Sequence, residues 1–279
     1  MAPKAKSPIT ILGIGGGPIY TSKPVHAMFD AALEKARSRQ VDPAQAPAIV
    51  SIPTAKDKLE TFHEHIGTVK SFFGIKGLKV EILHSYKEQD VDLETKAALL
   101  ETADLLVVPG GSTELLVFEW NRMGLLPLII AAVKRGVVVV GHSAGLIAWF
   151  EESHTDSEAY VIEPGKPWKY KMIPATGLIR AAVSPHAADN ARQYTFNEKA
   201  YSAKFTRRQD FIRQLRTAQK RRNGIAVDGD TGVLFEGDWG TVHGIGRVTL
   251  HLWSKNGQLR SRAYKPGQRF RLSTLTKGR

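Results

Sequence analysis

Cysteine is absent from the 279 residues, which excludes disulfides, thiolate nucleophiles and cysteine-ligated zinc. Any chemistry falls to serine, carboxylate, histidine or a borrowed metal. Long apolar runs are also missing. Met1 to Pro8 leads into a short apolar segment broken by Gly13, too short and glycine-rich for a signal peptide or membrane span, so a cytoplasmic protein is the default expectation. No repeat, low-complexity block or linker divides the chain, and a hydrophobic fraction of 42% suits one α/β domain with a large core. Acidic residues are missing from Ser254 to Arg279, where Lys255, Arg260, Arg262, Lys265, Arg269, Arg271, Lys277 and Arg279 supply eight of the twelve net positive charges.

That basic C-terminal extension, residues 255–279, and a second basic run from Lys204 to Arg222 invite a nucleic-acid or acidic partner. The second run reads as a helix with Phe205, Ile212, Leu215 and Ala218 on an apolar side. No zinc finger or aromatic RNA-binding pattern accompanies the charge, so it names no partner. A solvated surface and a frayed terminus are the plainer expectation.

Apolar runs alternate with amphipathic stretches, the rhythm of a doubly wound, mostly parallel sheet flanked by helices. Strands are predicted at Ile9 to Ile14, Ala48 to Pro53, Leu78 to His84, Asp104 to Val108 and Val137 to Val140. Helices are predicted at Val25 to Ser38, Lys56 to Phe73, Thr113 to Asn121 and Pro127 to Arg135. Glu151 to Thr176, with three prolines, reads as loop-rich. Short strands at Arg180 to Ser184, Gly224 to Asp228, Thr231 to Glu236 and Arg247 to Trp253 read as an antiparallel edge of the same sheet.

Sites in open α/β sheets lie beyond the carboxyl ends of strands, and Gly141-His142-Ser143-Ala144-Gly145 follows a four-valine run at such an end. Glycine, serine and glycine at this spacing form the sharp turn that lifts a nucleophilic hydroxyl clear of a sheet. A helix beginning at Ala144 would aim free N–H groups at a developing oxyanion. Pro109-Gly110-Gly111-Ser112-Thr113 follows the fourth strand. Its paired glycines let the backbone approach a ligand closely and offer the other half of an oxyanion hole; anion binding at a helix start is the competing reading. Gly15-Gly16-Gly17 lacks the spacing and the acidic partner of a dinucleotide loop. His186, at a strand end behind Pro185, is the histidine best placed to act as base; His142 should point away from Ser143, and His154 ranks below. Among the acceptors for the second ring nitrogen, Glu151, Glu152, Asp156, Glu158 and Glu163 are all eligible by position.

With these motifs together, the chain resembles the peptidase E and cyanophycinase family, serine peptidases of family S51 built on the class I glutamine-amidotransferase-like, flavodoxin-like fold. Ala103 to Thr113 is similar to the family's strand ending in G-G-N-T, Gly141 to Gly145 to its G-x-S-A-G, Trp149 to Ser157 to its W-F-E-x-x-x-T-D-S, and Pro185-His186 to its P-H. The resemblance implies Ser143 as nucleophile, His186 as base and then acid, and Asp156 as the orienting carboxylate. It places the oxyanion on the N–H groups of Gly111 and Ala144, and Gly110 and Arg207 beside the substrate, Arg207 from a T-R-R-Q similar to the family's T-R-E-Q. It implies a small peptide substrate, Asp-X dipeptides first, with neither metal nor organic cofactor. A β-aspartyl peptide of the cyanophycinase kind is the alternative substrate; a non-catalytic member binding a small acidic ligand is the alternative class. Two departures stand out: Ser112 replaces the family's asparagine, and the basic tail is longer than the family requires.

Overall fold

The structure is a computed structural model that describes residues 8–19, 21–40, 42, 44–83, 92–161, 169–188, 193–196, 199–202 and 205–276. In chain order the elements begin β1 (Thr10–Ile14), α1 (Lys23–Arg37), β2 (Ile49–Ser51), α2 (Leu59–Gly74), β3 (Val80–Ile82), α3 (Leu93–Thr102), β4 (Leu105–Val108), α4 (Thr113–Arg122), α5 (Leu125–Arg135) and β5 (Val138–His142). These strands run parallel in the order β1-β5-β4-β2-β3. The continuous Val/Leu runs of β4 and β5 suit them for burial on both faces, and every residue of both is buried. On one face Leu12, Ile14, Val107, Val138 and Val140 pack under α1 and α2; on the other Ile11, Leu106, Val108 and Val139 pack under α4 and α5. Asp92 caps α3, accepting from the Thr95 N–H at 2.7 Å. With only Lys96 and Leu100 buried, α3 lacks a sustained apolar stripe, and the sequence pattern passed over it.

The second half continues with α6 (Ala144–Ile147), β6 (Phe150–Thr155), α7 (Glu158–Val161), β7 (Lys171–Pro174), β8 (Ile179–Ser184), β9 (Gln193–Phe196), β10 (Lys199–Ser202) and α8 (Arg207–Thr217). It closes with β11 (Gly224–Val227), β12 (Thr231–Glu236), β13 (Trp239–Gly244), β14 (Val248–Trp253), β15 (Leu259–Tyr264), β16 (Arg269–Arg271) and α9 (Ser273–Thr276). Here the structure corrects two expectations. Only β12, β13 and β16 extend the main sheet as an antiparallel edge; β8, β11 and β14 leave it and form a second, six-stranded sheet ordered β15-β14-β11-β8-β6-β7. The stretch expected to be loop-rich supplies two of its strands, β6 and β7. A single hydrophobic cluster joins the sheets, with Val139, Val233 and Phe235 of the first against Val183, Ile225 and Leu250 of the second. Phe150 meets Phe235 edge-on at 5.7 Å.

Residues 255–276 are woven into this body. β15 pairs with β14 and β16 with β13, while Tyr264, Phe270 and Leu275 are buried in the shared core. In α8 the buried stripe is Arg207, Asp210, Phe211 and Leu215; of the expected apolar side only Leu215 is buried, Phe205 and Ile212 are half-buried and Ala218 is exposed. Among the described residues no single helix is long and apolar enough to cross a membrane.

Candidate active site

Ser143 sits between β5 and α6 with φ 54° and ψ −108°, a conformation a non-glycine residue holds only when its surroundings enforce it. They do so here: the Ser143 N–H donates to Ile14 O at 2.9 Å. The flanking glycines permit the approach. A Cβ on Gly141 would lie 2.1 Å from Gly145 O, and one on Gly145 would lie 2.0 Å from Val108 O.

His186 follows β8, where Ala187 N–H donates to Val227 O at 3.1 Å and fixes the chain behind it. Its Nε2 lies 2.5 Å from Ser143 Oγ, the pairing that the sequence ranked first. A Cβ at Gly16 would strike the other edge of the ring, 2.2 Å from Nδ1, so the glycine loop after β1 makes room for a histidine rather than a nucleotide. Burial, reinforced by Arg207, pulls the His186 ring down to about 3 against the opposing field of Asp156. The ring is therefore neutral near pH 7, the form that accepts a hydroxyl proton.

Asp156 is placed by its neighbours. Thr155 Oγ1 hydrogen-bonds Thr113 Oγ1 at 3.1 Å, and Ser157 Oγ accepts from the N–H groups of Thr113 and Glu114 at 2.9 and 3.1 Å. The T-D-S motif thus clasps the start of α4 from outside while its central carboxylate enters the cleft. There Asp156 Oδ2 accepts from Arg207 Nη1 at 2.8 Å; among the described residues no hydrogen bond joins it to the His186 ring. Burial by itself would raise the Asp156 carboxyl, but Arg207 and His186 outweigh it and hold the group below its usual range. Of the other eligible acceptors, Glu158 engages Lys171 and the Lys169 N–H, and Glu151 and Glu152 engage Arg222 at 3.1 and 2.8 Å. Glu163 lies outside the described residues.

Gly110 and Gly111 line the cleft beside Ser143, their loop held by the Ser112 N–H on Ala55 O at 2.9 Å. Ser112, where the family has asparagine, caps α4 by accepting from the Leu115 N–H at 3.2 Å. Ala144 opens α6, so its N–H has no intrahelical acceptor. His142 lines the same cleft and gives its Nε2–H to Gly17 O at 2.9 Å. His154 is fully buried, pinned by Ser184 Oγ and Asp210 Oδ2, each at 3.0 Å.

The cleft, about 490 Å³, lies beyond the carboxyl ends of β1, β4, β5, β6 and β8. Its remaining wall went unread in the sequence: Lys56 before α2, Thr61, Glu64, His65 and Thr68 from α2, and Tyr160 from α7. The available signal was a helix face where polar residues recur at helical spacing. Among the described residues no group of three or more histidine, aspartate or glutamate side chains is arranged to hold a metal ion.

A crystal structure of a peptidase from an acI-B1 Actinobacterium superposes with a TM-score of 0.70 at 15% identity, covering 95% of this chain and 98% of that one. That of a putative peptidase E protein from Listeria monocytogenes EGD-e gives 0.53 at 17% identity, covering 87% and 100%. At these identities the likeness establishes the fold. In sequence, the uncharacterized peptidase YgaJ of Bacillus subtilis (strain 168) is 31% identical over 176 residues, 63% of this chain and 67% of the relative. Peptidase E of Citrobacter koseri is 27% identical over 127 residues, 46% of this chain, so the match spans half the length of that relative. The model of peptidase family S51 matches residues 26–242, well over half of the chain, and the chain belongs to that family.

Proposed function

We propose that the protein is a serine peptidase that hydrolyses short peptides, Asp-X dipeptides first among them. The observation that carries this reading is the 2.5 Å contact between Ser143 Oγ and a neutral His186 Nε2 on a strained turn. Ser143 Oγ attacks the scissile carbonyl carbon while its proton passes to His186 Nε2. The carbonyl oxygen becomes an oxyanion facing the N–H groups of Gly111 and Ala144. Collapse of this intermediate breaks the C–N bond, and the His186 proton leaves on the departing amine. Water, deprotonated by the same ring, then attacks the Ser143 ester and releases the acid.

Asp156 acts in this reading as the anion that stabilises the imidazolium, held in the cleft by Arg207. Arg207, which the resemblance placed beside the substrate, lines the cleft but also serves Asp156 and His154 O, at 2.8 and 3.3 Å, and lies 5.0 Å over the Tyr170 ring. Replacing Ser143 with alanine is expected to keep the fold and lower Asp-X hydrolysis by roughly three or more orders of magnitude. It should also abolish labelling by a serine-directed fluorophosphonate. Unchanged turnover would remove Ser143 from the reaction, and an unlabelled wild type would favour a ligand-binding member instead.

A further inference from the structure

Helix α2 buries Phe62, Val69 and Phe73 as an amphipathic helix should, yet it turns Thr61, Glu64, His65 and Thr68 toward the cleft. These positions are three, four and seven residues from the first, one face of a helix. Thr61 Oγ1 donates to Lys58 O at 2.9 Å, Thr68 Oγ1 donates to Glu64 O at 2.6 Å and His65 Nε2 lies 3.4 Å from Ser51 Oγ, so the charge on this wall falls to Glu64 and to Lys56 ahead of the helix.

Lys56, three residues before α2, stands on the same wall, half-buried. Among the described residues no carboxylate comes within salt-bridge distance of its ammonium. Its charge is felt across the site, depressing the rings of His65 and His142 in addition to their burial. Burial also lowers Lys56 itself, and the more distant charges of Glu64 and Asp57 offset part of that effect. The other cation of the cleft, Arg207, already holds Asp156. Lys56 is thus the cation in the cleft whose charge has yet to find a close partner. The wall carries one charge of each sign, Lys56 and Glu64, as does an N-terminal aspartyl residue ahead of its scissile carbonyl.

We propose that Lys56 is the specificity determinant of the cleft, pairing with the side-chain carboxylate of the substrate's first residue. The assignment rests on the aspartyl-peptide reading. An asparaginyl substrate has the same shape but leaves the half-buried ammonium without its counter-charge, which is how a site made for a charge rejects a neutral isostere.

Wild type, Lys56→Met and Lys56→Arg are to be compared on L-aspartyl and L-asparaginyl 4-nitroanilide, with fluorophosphonate labelling of Ser143 measured in parallel. Wild type is expected to prefer the aspartyl compound. Lys56→Met should lose about 10- to 100-fold in the ratio of aspartyl to asparaginyl kcat/KM while its melting temperature is kept, and Lys56→Arg should keep most of the preference. A Lys56→Met enzyme that retains the wild-type preference overturns the assignment by itself. A wild type that is labelled yet cleaves the two compounds equally, or neither, overturns the aspartyl reading and the assignment together.

Discussion

A histidine buried beside an arginine is a poor proton acceptor in thermodynamic terms, and that is the condition of His186, whose ring is drawn down to about 3. The sign of the consequence is fixed. In the proposed reaction this ring is the base, and a base fails when it is protonated, so activity should be lost as pH falls through the folded-state value and the acid limb of kcat/KM should lie well below the ordinary histidine range near 6.5. A limb at 6 to 7 would mean that the ring is more hydrated than the structure has it. Gly16 gives a second residue-scale expectation. Alanine there meets the His186 ring at 2.2 Å, so Gly16→Ala should lower kcat by about 10-fold or more through displacement of the base, while KM changes less. Ser143 and His186 were legible in the sequence because each sits in a turn with its own signature. Asp156 was not separable from its acidic neighbours by spacing; only the resemblance chose it. Lys56 was not legible at all, since a lysine before a helix looks like solvated surface until the fold turns it inward.

Element by element, legibility followed apolar patterning. The central strands β4 and β5 announced themselves because burial on both faces of a sheet demands Val, Ile and Leu in a run, β1, β2 and β3 did so by shorter apolar runs, and the helices α1, α2, α4 and α5 did so because burial of one helix face demands a stripe. β6 did not, for a physical reason: its Ser153, His154 and Thr155 are buried polar residues. Each finds a partner, Ser153 Oγ on Ile147 O at 2.6 Å, His154 on Ser184 and Asp210, and Thr155 on Thr113. A hydropathy pattern cannot see such a strand, because hydrogen bonds rather than apolar burial make it tolerable. The second sheet, which needs β6 as a member, was lost with it. Helix α8 shows the same dependence on local chemistry. Thr206 and Gln209 form a reciprocal capping box at its start, and the next residue after Thr206 is Arg207, the holder of Asp156. Thr206→Ala should cost about 1 kcal/mol of stability, read as a lower denaturation midpoint. It should also reduce turnover more than it raises KM, because the frayed first turn releases Arg207. Equal turnover with the expected loss of stability would detach α8 from the reaction.

For the molecule as a whole, five buried histidines shape the response to acid. The rings of His65, His142, His154, His186 and His251 are each pushed down to between about 3 and 4, burial being the largest cause in every case. In the unfolded chain they titrate near 6.5. Their folded values are depressed, so the unfolded state takes up protons first. Their contribution is complete above about 6.5, is lost as pH falls toward 4 and levels off below 3. Each ring contributes a slope of up to about 1.4 kcal/mol per pH unit inside that window. Urea midpoints measured at pH 7.5, 6, 5 and 4 should be flat at first and then drop steeply; a flat profile down to pH 4 would show that the rings are solvated.

The basic C-terminal strands have a different consequence at this scale. β16 is the outermost strand of one sheet and β15 of the other, and both carry exposed arginines, Arg269 and Arg271 on the first and Arg260 and Arg262 on the second. Arg269 and Arg271 lie 4.4 and 4.2 Å from the Trp239 ring, so the cations cover an aromatic surface as well as the strand beside it. An outer strand with unpaired backbone groups is a template for joining sheets between molecules, and like charges along it oppose that joining. Neutralising these four arginines to glutamine should therefore leave peptide hydrolysis in place while the protein self-associates as its concentration rises, an outcome light scattering would register. On that outcome, four of the positive charges that first suggested a polyanionic partner would serve instead to keep copies of this chain apart.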